Sequence, residues 1–408
     1  MSSLESANLL LGLVAVVAVA STLWSMACVF WVTRRRRGLP EHTPPVTIFK
    51  PLKGLDEELE ENLRTFFQLD YPMYQLIFGV AEAGDPAIEV VRKLQREFPD
   101  RDSQLVIGTP AFGLNPKVEN LAAMDRHRKY DVILISDSNI RVRPSYLRET
   151  ACYLAEPGVG LVTNLFAGVG EAQAGSAMEI LHLNGFVAGA VAAAAVLRIT
   201  CVVGKSMLMP VQALQAAGGF AGVRNLLGED QALGVRVRRA GYSIRSSHHV
   251  ITNISRGRNL KAFLSRQSRW NKVRRGMAPI LFLAEPVTNL ATVGLVWAFS
   301  GELGIAWGGL LLLVGLGMIR DALQTRRLRG SFPKLRHLLL SPAKDILLLP
   351  VWFDAVFNRR VQWRNHRFLV GRMTRLRLAR VPRQVRRRVR RVRQIRSQQA
   401  NKPNPSTP

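Results

Sequence analysis

Cysteine is scarce in this sequence, because its 408 residues include only Cys28, Cys152 and Cys201. Three cysteines this far apart are too few for a disulfide framework or for a metal cage built on thiolates. Cys28 also lies inside a long apolar run. The pattern indicates a reducing compartment and suggests no redox chemistry.

Acidic residues are absent from the C-terminal part of the chain. Seventeen Lys and Arg residues follow Asp354, whereas no Asp or Glu does, so this part carries most of the formal net charge of +28. Such basic runs can bind nucleic acid, but beside apolar spans they more often meet anionic lipid headgroups. We therefore predict that residues 358–408 form an Arg-rich cytoplasmic tail that binds anionic membrane lipids, and we expect no nucleic-acid partner.

No cleavable signal peptide is indicated near the start of the sequence. Residues 7–32 are almost wholly apolar, and this length can cross a bilayer core of about 30 Å. The basic cluster Arg34–Arg37 follows the run, whereas a signal peptide carries its charge before the apolar stretch. The sequence thus predicts an N-terminal transmembrane anchor, with the chain after Arg34 in the cytoplasm by the positive-inside rule.

Two further apolar blocks lie in the C-terminal half. Residues 280–319 break at Ser300–Glu302, which predicts a hairpin of two spans of about 20 residues each. Residues 338–357 contain prolines and charged residues, and we interpret them as a re-entrant or interfacial segment because a full span would place the basic tail outside. The layout predicts an integral protein of a bacterial inner membrane, with residues 38–278 as a cytoplasmic domain.

Short apolar runs alternate with helical patterns between residues 38 and 278. Strand–helix alternation at this spacing is typical of an α/β domain with a mostly parallel, Rossmann-like sheet and helices on both faces. The side chains directly after the strands are candidates for a binding site, because ligands bind outside the carboxyl ends of such strands. The predicted strands are Val46–Phe49, Leu76–Val80, Leu105–Ile107, Val132–Ile135 and Gly160–Val162, and the predicted helices are Glu57–Phe67, Ala87–Phe98, Lys117–Arg128 and Ser145–Leu154.

Three carboxylates occupy informative positions in this pattern. Asp85 follows the second predicted strand, Asp137 comes just after the fourth, and Asp230 precedes a helical stretch. Each of them is also a common turn residue or helix cap. As a set they suit glycosyl transfer from a nucleoside diphosphate sugar, because Mg²⁺ or Mn²⁺ takes carboxylate ligands such as Asp137. A second carboxylate can then remove the proton of the acceptor hydroxyl.

Five shorter segments accompany these aspartates and the box Arg266-Gln267-Ser268-Arg269-Trp270. They are Lys50–Gly54, Gly113–Lys117, Asp137–Val142, Val203–Met207 and Gly218–Phe220. With these segments in this order, residues 46–279 resemble the family 2 and family 21 glycosyltransferases. The signature of those families is three spaced aspartates followed by (R/Q)-x-x-R-W. The resemblance is closest to the ceramide glucosyltransferases, and it implies a GT-A fold combined with transmembrane helices.

The resemblance implies roles for four of these polar residues. Asp85 would contact the uridine of a UDP-sugar, Asp137 would hold the ribose or the metal-bound diphosphate, and Lys117 would also bind the donor. Asp230 would be the general base in a single displacement that inverts the anomeric centre. The implied cofactor is a divalent metal, Mg²⁺ or Mn²⁺, with Asp137 as its ligand. The wider family often has Asp-x-Asp here, whereas this chain has Asn139 at the third position.

The arginine–tryptophan box also fits a helix. Leu260–Met277 has a helical pattern that places Arg266, Arg269 and Trp270 at i, i+3 and i+4, on one face. The resemblance implies that these side chains line the diphosphate and acceptor side of the site. Arginine binds a diphosphate bidentately, and tryptophan can stack on a ring. The alternative is an interfacial basic helix ahead of a membrane span.

We therefore expect an inverting glycosyltransferase that moves glucose from UDP-glucose to a lipid such as ceramide at the cytoplasmic membrane face. Two variants of the same chemistry stay open: a hopanoid or diacylglycerol-type acceptor, and UDP-N-acetylglucosamine as the donor. A processive polysaccharide synthase is disfavoured because two C-terminal spans are few for a polymer channel. From a different class, the alternative is a membrane-tethered basic protein that binds nucleic acid.

Overall fold

The computed structural model describes residues 3–36, 38–110, 112–300, 303–363 and 366–378. Its helices are α1 (Ser3–Val32), α2 (Leu59–Phe67), α3 (Ala87–Glu97), α4 (Pro116–Asp125), α5 (Tyr146–Ala151), α6 (Ala174–His182), α7 (Ala188–Val196), α8 (Val211–Ala216), α9 (Glu229–Arg239), α10 (Leu260–Met277), α11 (Pro279–Ala284), α12 (Leu290–Ser300), α13 (Leu303–Arg329), α14 (Leu335–Leu338) and α15 (Ser341–Phe357). Its strands are β1 (Val46–Pro51), β2 (Tyr74–Val80), β3 (Ser103–Ile107), β4 (Val132–Ile135), β5 (Ile140–Arg141), β6 (Val159–Val169), β7 (Met207–Pro210), β8 (Ser243–Ile254), β9 (Arg360–Trp363), β10 (His366–Val370) and β11 (Leu376–Leu378). Strands and helices therefore alternate up to α9, and mainly helices follow.

Eight strands form one mixed sheet in the order β3-β2-β1-β4-β7-β6-β8-β5. The pairs β1–β2, β2–β3, β1–β4 and β6–β8 are parallel, whereas β4–β7, β6–β7 and β5–β8 are antiparallel. The predicted parallel-dominant α/β sheet is confirmed, and all five predicted strands belong to it. The strands β5, β7 and β8 were not predicted. In β8, polar residues at most positions hide the apolar pattern of a strand.

The antiparallel strand β7 decides which loops meet at one edge of the sheet. Ile135 at the end of β4 pairs with Met207 at the start of β7. Because the two strands run in opposite directions, the segment after Ile135 and the segment before Met207 leave the sheet at the same edge. Asp137 and Lys205 belong to these two segments, and their side chains form an ion pair there.

Two apolar layers bury the sheet from both sides. One layer contains Phe66 of α2 and Val91 of α3. The other contains Val118 of α4 and Leu233 of α9. Because helices cover both faces, β2 is buried along its whole length, as is usual for the central strands of a parallel sheet.

Within the part of the chain that the structure describes, three helices are long and apolar enough to cross a membrane: Glu5–Val32, Ala174–Val196 and Gly304–Arg329. In the second, 67% of the apolar window is buried inside the protein, against 28% in the other two. Ala174–Val196 therefore packs mainly as a core helix, whereas the other two expose most of their apolar surface. Exposed apolar surface of this extent is typical of helices that face lipid.

The apolar segment before α13 is a bent helix pair. Pro279–Thr288 and Leu290–Ser300 meet at an angle of 63°. Pro286 lies just before the bend and has no backbone N–H with which to continue a helical hydrogen-bond ladder. The hairpin predicted for residues 280–319 thus contains a break near Asn289 that the apolar pattern did not indicate.

A buried ion-pair cluster joins α13 to α15. Asp321 pairs with Lys344 at 2.7 Å and with Arg320 at 2.8 Å. Arg320 also pairs with Asp345 at 3.4 Å. Removing one partner from such a cluster leaves an uncompensated buried charge, which is strongly destabilising. Residues 338–357, predicted as re-entrant or interfacial, thus include a helix that is held to α13 by charge.

The first part of the predicted Arg-rich tail is folded, which corrects the prediction of a tail from residue 358. Strands β9, β10 and β11 form a small antiparallel sheet. Its side chains Val361, Phe368 and Val370 pack with Leu227 of the α/β domain. Arginines are frequent around these apolar residues, and the excess of basic charge concealed them. Residues 379–408 lie outside the described residues.

Candidate active site

Asp137 lies between two lysine side chains at the edge of the sheet. Its Oδ1 is 2.7 Å from Lys117 Nζ, and its Oδ2 is 3.0 Å from Lys205 Nζ. Burial favours the neutral acid, but the two ammonium groups outweigh it and hold the pKa of Asp137 well below its usual range. Lys205 also donates to Asn139 Oδ1 at 3.0 Å. Asp137 is therefore ionised at neutral pH, and Asn139 supports one of its two lysine partners.

The segment Asn115-Pro116-Lys117 sets the position of the central lysine. Asn115 is the N-cap of α4, and its side-chain oxygen accepts from the Lys117 N–H at 2.9 Å. Pro116 takes the first helical position, where no N–H is needed. The Asn115 amide donates to Glu229 at 3.1 Å, and Lys117 Nζ lies 3.1 Å from the same carboxylate. Lys117 thus bridges Asp137 and Glu229.

Asp230 follows Glu229 in the first turn of α9 and belongs to the same charge cluster. Its Oδ2 accepts from the Gly204 N–H at 2.6 Å, and its Oδ1 accepts from the Gln231 N–H at 2.8 Å. Burial and the neighbouring Glu229 raise the pKa of Asp230 to about 6, although the charge of Lys117 acts in the opposite direction. A carboxylate of this pKa is ionised at neutral pH and more basic than a surface aspartate, as suits a general base.

The pKa of Asp230 predicts the acid limb of the pH profile. If Asp230 must be ionised to act, kcat/KM should fall as the pH drops through about 6. Replacing Glu229 with glutamine removes a like charge, so the pKa of Asp230 should fall and the limb should move to lower pH. The measurement is kcat/KM for sugar transfer between about pH 4 and pH 8. The control Glu89→Gln changes an exposed glutamate on α3 and should leave the limb in place; a limb that does not move in Glu229→Gln would contradict the assignment.

Asp85 caps a helix and holds a loop. Its carboxylate oxygens accept from the Gly54 N–H at 2.9 and 3.0 Å, and Oδ1 also accepts from the Ala87 N–H at 2.9 Å. Gly54 has a φ of +66°, which favours glycine. The same loop begins near Lys50, whose Nζ donates to the backbone carbonyl of Asp137 at 2.6 Å. The structure thus links Asp85 to Asp137 through one loop, while backbone N–H groups engage the Asp85 carboxylate.

Arg266 and Trp270 lie on α10 beside the buried carboxylate of Glu179. The Arg266 guanidinium is 5.0 Å from the centre of the Trp270 ring and 3.4 Å from Glu179. Its charge also interacts with that of Asp137, so the box lies near the lysine–aspartate cluster. Arg269 follows Arg266 by three residues on the same helix, a spacing that places both on one face.

Four further charged residues belong to the site, and the sequence had assigned no role to them. They are Lys50, Glu179, Lys205 and Glu229. Lys50 and Lys205 lie inside the matching segments, and Glu229 directly precedes the predicted base, so their places in the motifs were an available signal. Glu179 is a lone carboxylate in the apolar stretch Ala174–Val196. A carboxylate in such a stretch indicates a charged partner without identifying it.

The small C-terminal sheet supports the start of α9. The carbonyl of Thr374 accepts from the Leu227 N–H at 3.0 Å, and its hydroxyl accepts from the Gly228 N–H at 3.3 Å. Met373 and Thr374 have positive φ angles of 52° and 57°, a conformation that persists in such residues only where surrounding contacts hold it. The turn that carries them therefore contacts the segment that leads into Asp230.

The sequence model of glycosyl transferase family 21 matches residues 10–376. This range includes most of α1, the α/β domain, the arginine–tryptophan box and the apolar helices that follow it.

Two relatives and one solved structure are similar over most of the chain. The chain is 29% identical over 334 residues to ceramide glucosyltransferase 3 of Caenorhabditis elegans, covering 80% of this chain and 72% of the relative. It is 25% identical over 433 residues to a ceramide glucosyltransferase of Komagataella phaffii, covering 83% and 84%. A mannosyltransferase from Pyrobaculum calidifontis, solved in complex with GDP-Man and Mn²⁺, has a TM-score of 0.55 at 18% identity, covering 87% of this chain and 99% of that one. The structural likeness shows the shared fold.

Proposed function

We propose a function from the premise that this chain belongs to glycosyl transferase family 21 and is a glycosyltransferase. The proposed reaction moves one sugar from a UDP-sugar to a hydroxyl of a membrane lipid. UDP-glucose is the proposed donor and ceramide or a related long-chain lipid the proposed acceptor, because the relatives are ceramide glucosyltransferases. The observation that carries the proposal is the charge cluster in which Lys117 joins Asp137 to Glu229 beside Asp230.

The cations of the cluster suit the diphosphate of the donor. Lys117 and Lys205 contact Asp137 directly, and the charge of Arg266 also acts on it. Negative charge grows on the diphosphate as its bond to the sugar breaks, and cations already in place stabilise that charge. The lysine side chains are only 16% and 7% exposed, so water screens them weakly.

Asp230 is the proposed general base. As its carboxylate takes the proton of the acceptor hydroxyl, the hydroxyl oxygen bonds to the anomeric carbon, and the bond from that carbon to the diphosphate oxygen breaks. Attack opposite the leaving group inverts the centre, so an α-linked donor yields a β-glycoside. The pKa of about 6 leaves Asp230 ionised before the reaction at neutral pH.

We propose that a divalent metal binds at Asp137, whose two carboxylate oxygens pair with Lys117 and Lys205 in this structure. Mg²⁺ and Mn²⁺ commonly bind through one or two carboxylates and complete their shell with water and phosphate oxygens. The described residues include no group of three or more His, Cys, Asp or Glu side chains that could hold a metal, so the substrate would supply most of the ligands. When bound, the metal would add positive charge at the leaving diphosphate. Mn²⁺ accompanies the nucleotide sugar in the Pyrobaculum calidifontis mannosyltransferase.

The basic residues that flank the apolar helices support an orientation for the domain. Arg34–Arg37 follow α1, and Arg326, Arg327 and Arg329 lie in the last turn of α13. Such clusters favour the cytoplasmic side of a membrane. We therefore propose that the α/β domain works at the cytoplasmic face of a bacterial inner membrane. We also propose that residues 379–408 bind its anionic lipids.

Product analysis tests the proposed function. The purified full-length protein is incubated with ceramide, diacylglycerol or a hopanoid and with UDP-glucose or UDP-N-acetylglucosamine, and the lipids are identified by mass spectrometry. We expect ceramide that carries a single β-linked glucose. Polymer of high mass from one donor would contradict the proposal, and so would unmodified lipid with every donor.

A further inference from the structure

A small cavity lies where the α/β domain meets the apolar helices. Its volume is about 50 Å³, which is room for a few water-sized groups. Side chains from α6, α10, α12, α13 and α15 line it, among them His182, Asn271, Thr292 and Leu349. The cavity shares α10 with the arginine–tryptophan box but contains none of the charged residues assigned above to the donor.

His182 has no hydrogen-bond partner for either ring nitrogen within the described part of the chain. The residue is only 4% exposed, and its ring stacks on Phe186 with ring centres 5.3 Å apart. The hydroxyl of Thr292, also buried, likewise has no partner among the described residues. Buried polar groups in proteins nearly always have partners. Two such groups in the wall of one cavity therefore indicate a polar ligand.

The backbone on two sides of the cavity departs from regular helix. The π-helical turn Leu183–Val187 follows His182 and joins α6 to α7. Turns of this kind are rare and are frequently found at functional sites. On another side, Pro286 and Asn289 line the cavity where the apolar helix pair bends by 63°. Both distortions adjoin the same space.

The charges in the cavity wall are already paired. Arg274 contacts Glu285 at 2.7 and 3.1 Å, and Arg320 pairs with Asp345 at 3.4 Å. A phosphate group would compete with these carboxylates for the cations. A hydroxyl or an amide, by contrast, can hydrogen-bond to the ring nitrogens of His182 without disturbing a pair. The wall therefore favours an uncharged polar ligand.

One wall of the cavity is apolar and continues towards exposed apolar surface. Leu348, Leu349 and Trp352 of α15 form this wall. Trp352 Nε1 donates to the carbonyl of Phe282 at 2.9 Å, which holds α15 against α11. On α11, Ile280 is 82% exposed, as expected of a side chain that meets lipid rather than water. A ligand with a polar head and apolar chains matches these surroundings.

Electrostatic contacts place the cavity near the proposed base. The charge of Arg274, in the cavity wall, acts on Cys201, and that of Asp230 acts on the same thiol. Gln231, next to Asp230, holds the loop that follows Cys201 by accepting from the Val202 N–H at 2.7 Å. The loop that follows Cys201 thus contacts the residue next to the base, and the charge of Arg274 in the cavity wall reaches Cys201.

We propose that this cavity receives the uncharged polar head of the acceptor lipid, with His182 and Thr292 as its hydrogen-bond partners. The apolar chains extend past Leu348 and Trp352 into the bilayer. The inference rests on the proposed function and deepens it, because it defines the class of acceptor. Lipids whose heads carry hydroxyl or amide groups are selected, and lipids with phosphorylated heads are excluded.

The test uses the full-length enzyme in phosphatidylcholine nanodiscs, with N-hexanoylsphingosine as the probe. His182→Phe keeps a ring that stacks on Phe186 but removes both nitrogens. We expect probe binding, measured without donor, to weaken by about ten-fold, which corresponds to the loss of one hydrogen bond to a buried group. The acceptor KM should rise by a similar factor, and the KM for UDP-glucose should not change. His182→Gln restores a hydrogen-bonding group and should recover part of the affinity.

Controls separate this inference from the proposed function. His337→Phe changes a histidine of α14 outside the cavity and should bind the probe like the wild type. Melting temperatures show whether the wild type and His182→Phe are both folded. If both are folded and bind the probe equally, the proposed site is wrong. If only His182→Phe loses probe binding and no sugar is transferred from any donor, the result supports the proposed site and contradicts the proposed reaction. If the wild type binds the 1-phosphate of the probe more tightly than the probe itself, the proposal that the cavity receives an uncharged head is wrong.

Discussion

Replacing Asp230 with asparagine should lower the rate of sugar transfer by about 10²–10⁴-fold, the range typical for the loss of a general base. Asparagine has nearly the same shape but cannot take the proton of the acceptor hydroxyl. The lysine contacts proposed for the diphosphate are centred on Asp137, so the affinity for UDP-glucose should be nearly unchanged. The two quantities are measured separately, as lipid glycoside formed per enzyme and as donor binding by titration.

The backbone contacts of Asp230 require a control for folding. Its two oxygens accept from the N–H groups of Gly204 and Gln231, whereas asparagine offers only one oxygen. A loss of about 1 kcal/mol in the free energy of unfolding is therefore expected, and the melting temperature should report it. Asp100→Asn changes an exposed aspartate and should leave turnover unchanged. Normal turnover in Asp230→Asn would place the base elsewhere, and lost donor binding would indicate a structural role.

Replacing Asp137 with asparagine should lower kcat/KM by about 10²–10³-fold, because the variant lacks the carboxylate that is proposed to hold the metal and to position Lys117 and Lys205 at the reacting diphosphate. The carboxylate is the partner of Lys117 and Lys205, so both lysines would lose their main counter-charge. The same substitution removes the proposed metal ligand. The residual activity should therefore respond weakly to added Mn²⁺ or Mg²⁺, whereas the wild type should respond strongly.

Metal titration of the two enzymes distinguishes the electrostatic role of Asp137 from general damage. Asp125→Asn is the matched control, since Asp125 pairs with Arg128 at 3.0 Å in a partly exposed ion pair. Exposed pairs contribute about 0–1 kcal/mol, so this variant should keep both turnover and the metal response. If Asp137→Asn responds to metal like the wild type, the metal ligand lies elsewhere.

Asp85 is a residue for which the sequence allowed two interpretations. The turn-and-cap interpretation predicts the hydrogen bond from Ala87 that the structure contains, whereas the bond from Gly54, a residue distant in the sequence, was not predicted. The contact with uridine that the resemblance implied stays a prediction. The loop held by Asp85 follows β1, whose Lys50 donates to the backbone carbonyl of Asp137. A helix cap can therefore shape a donor site without contacting the donor.

Sequence reasoning was most successful where the signal is local. Apolar periodicity identified β1–β4 and β6 because a buried strand needs several consecutive apolar residues. It did not identify β8, whose positions are mostly polar. The charge count likewise did not reveal the sheet of β9–β11, because many arginines surround the buried side chains Val361, Phe368 and Val370 in the sequence.

The sequence by itself determined five strands of the large sheet, the helices predicted between them, the apolar segments and the positions of Asp137 and Asp230 next to predicted elements, since each of these depends on neighbouring residues. Only the tertiary structure decided which distant groups meet. Lys205 reaches Asp137 because β7 runs antiparallel to β4, and Thr374 reaches Gly228 across 146 positions of the chain. The ring nitrogens of His182, which have no partner among the described residues, belong to this second class, because burial and pairing depend on how several helices pack together.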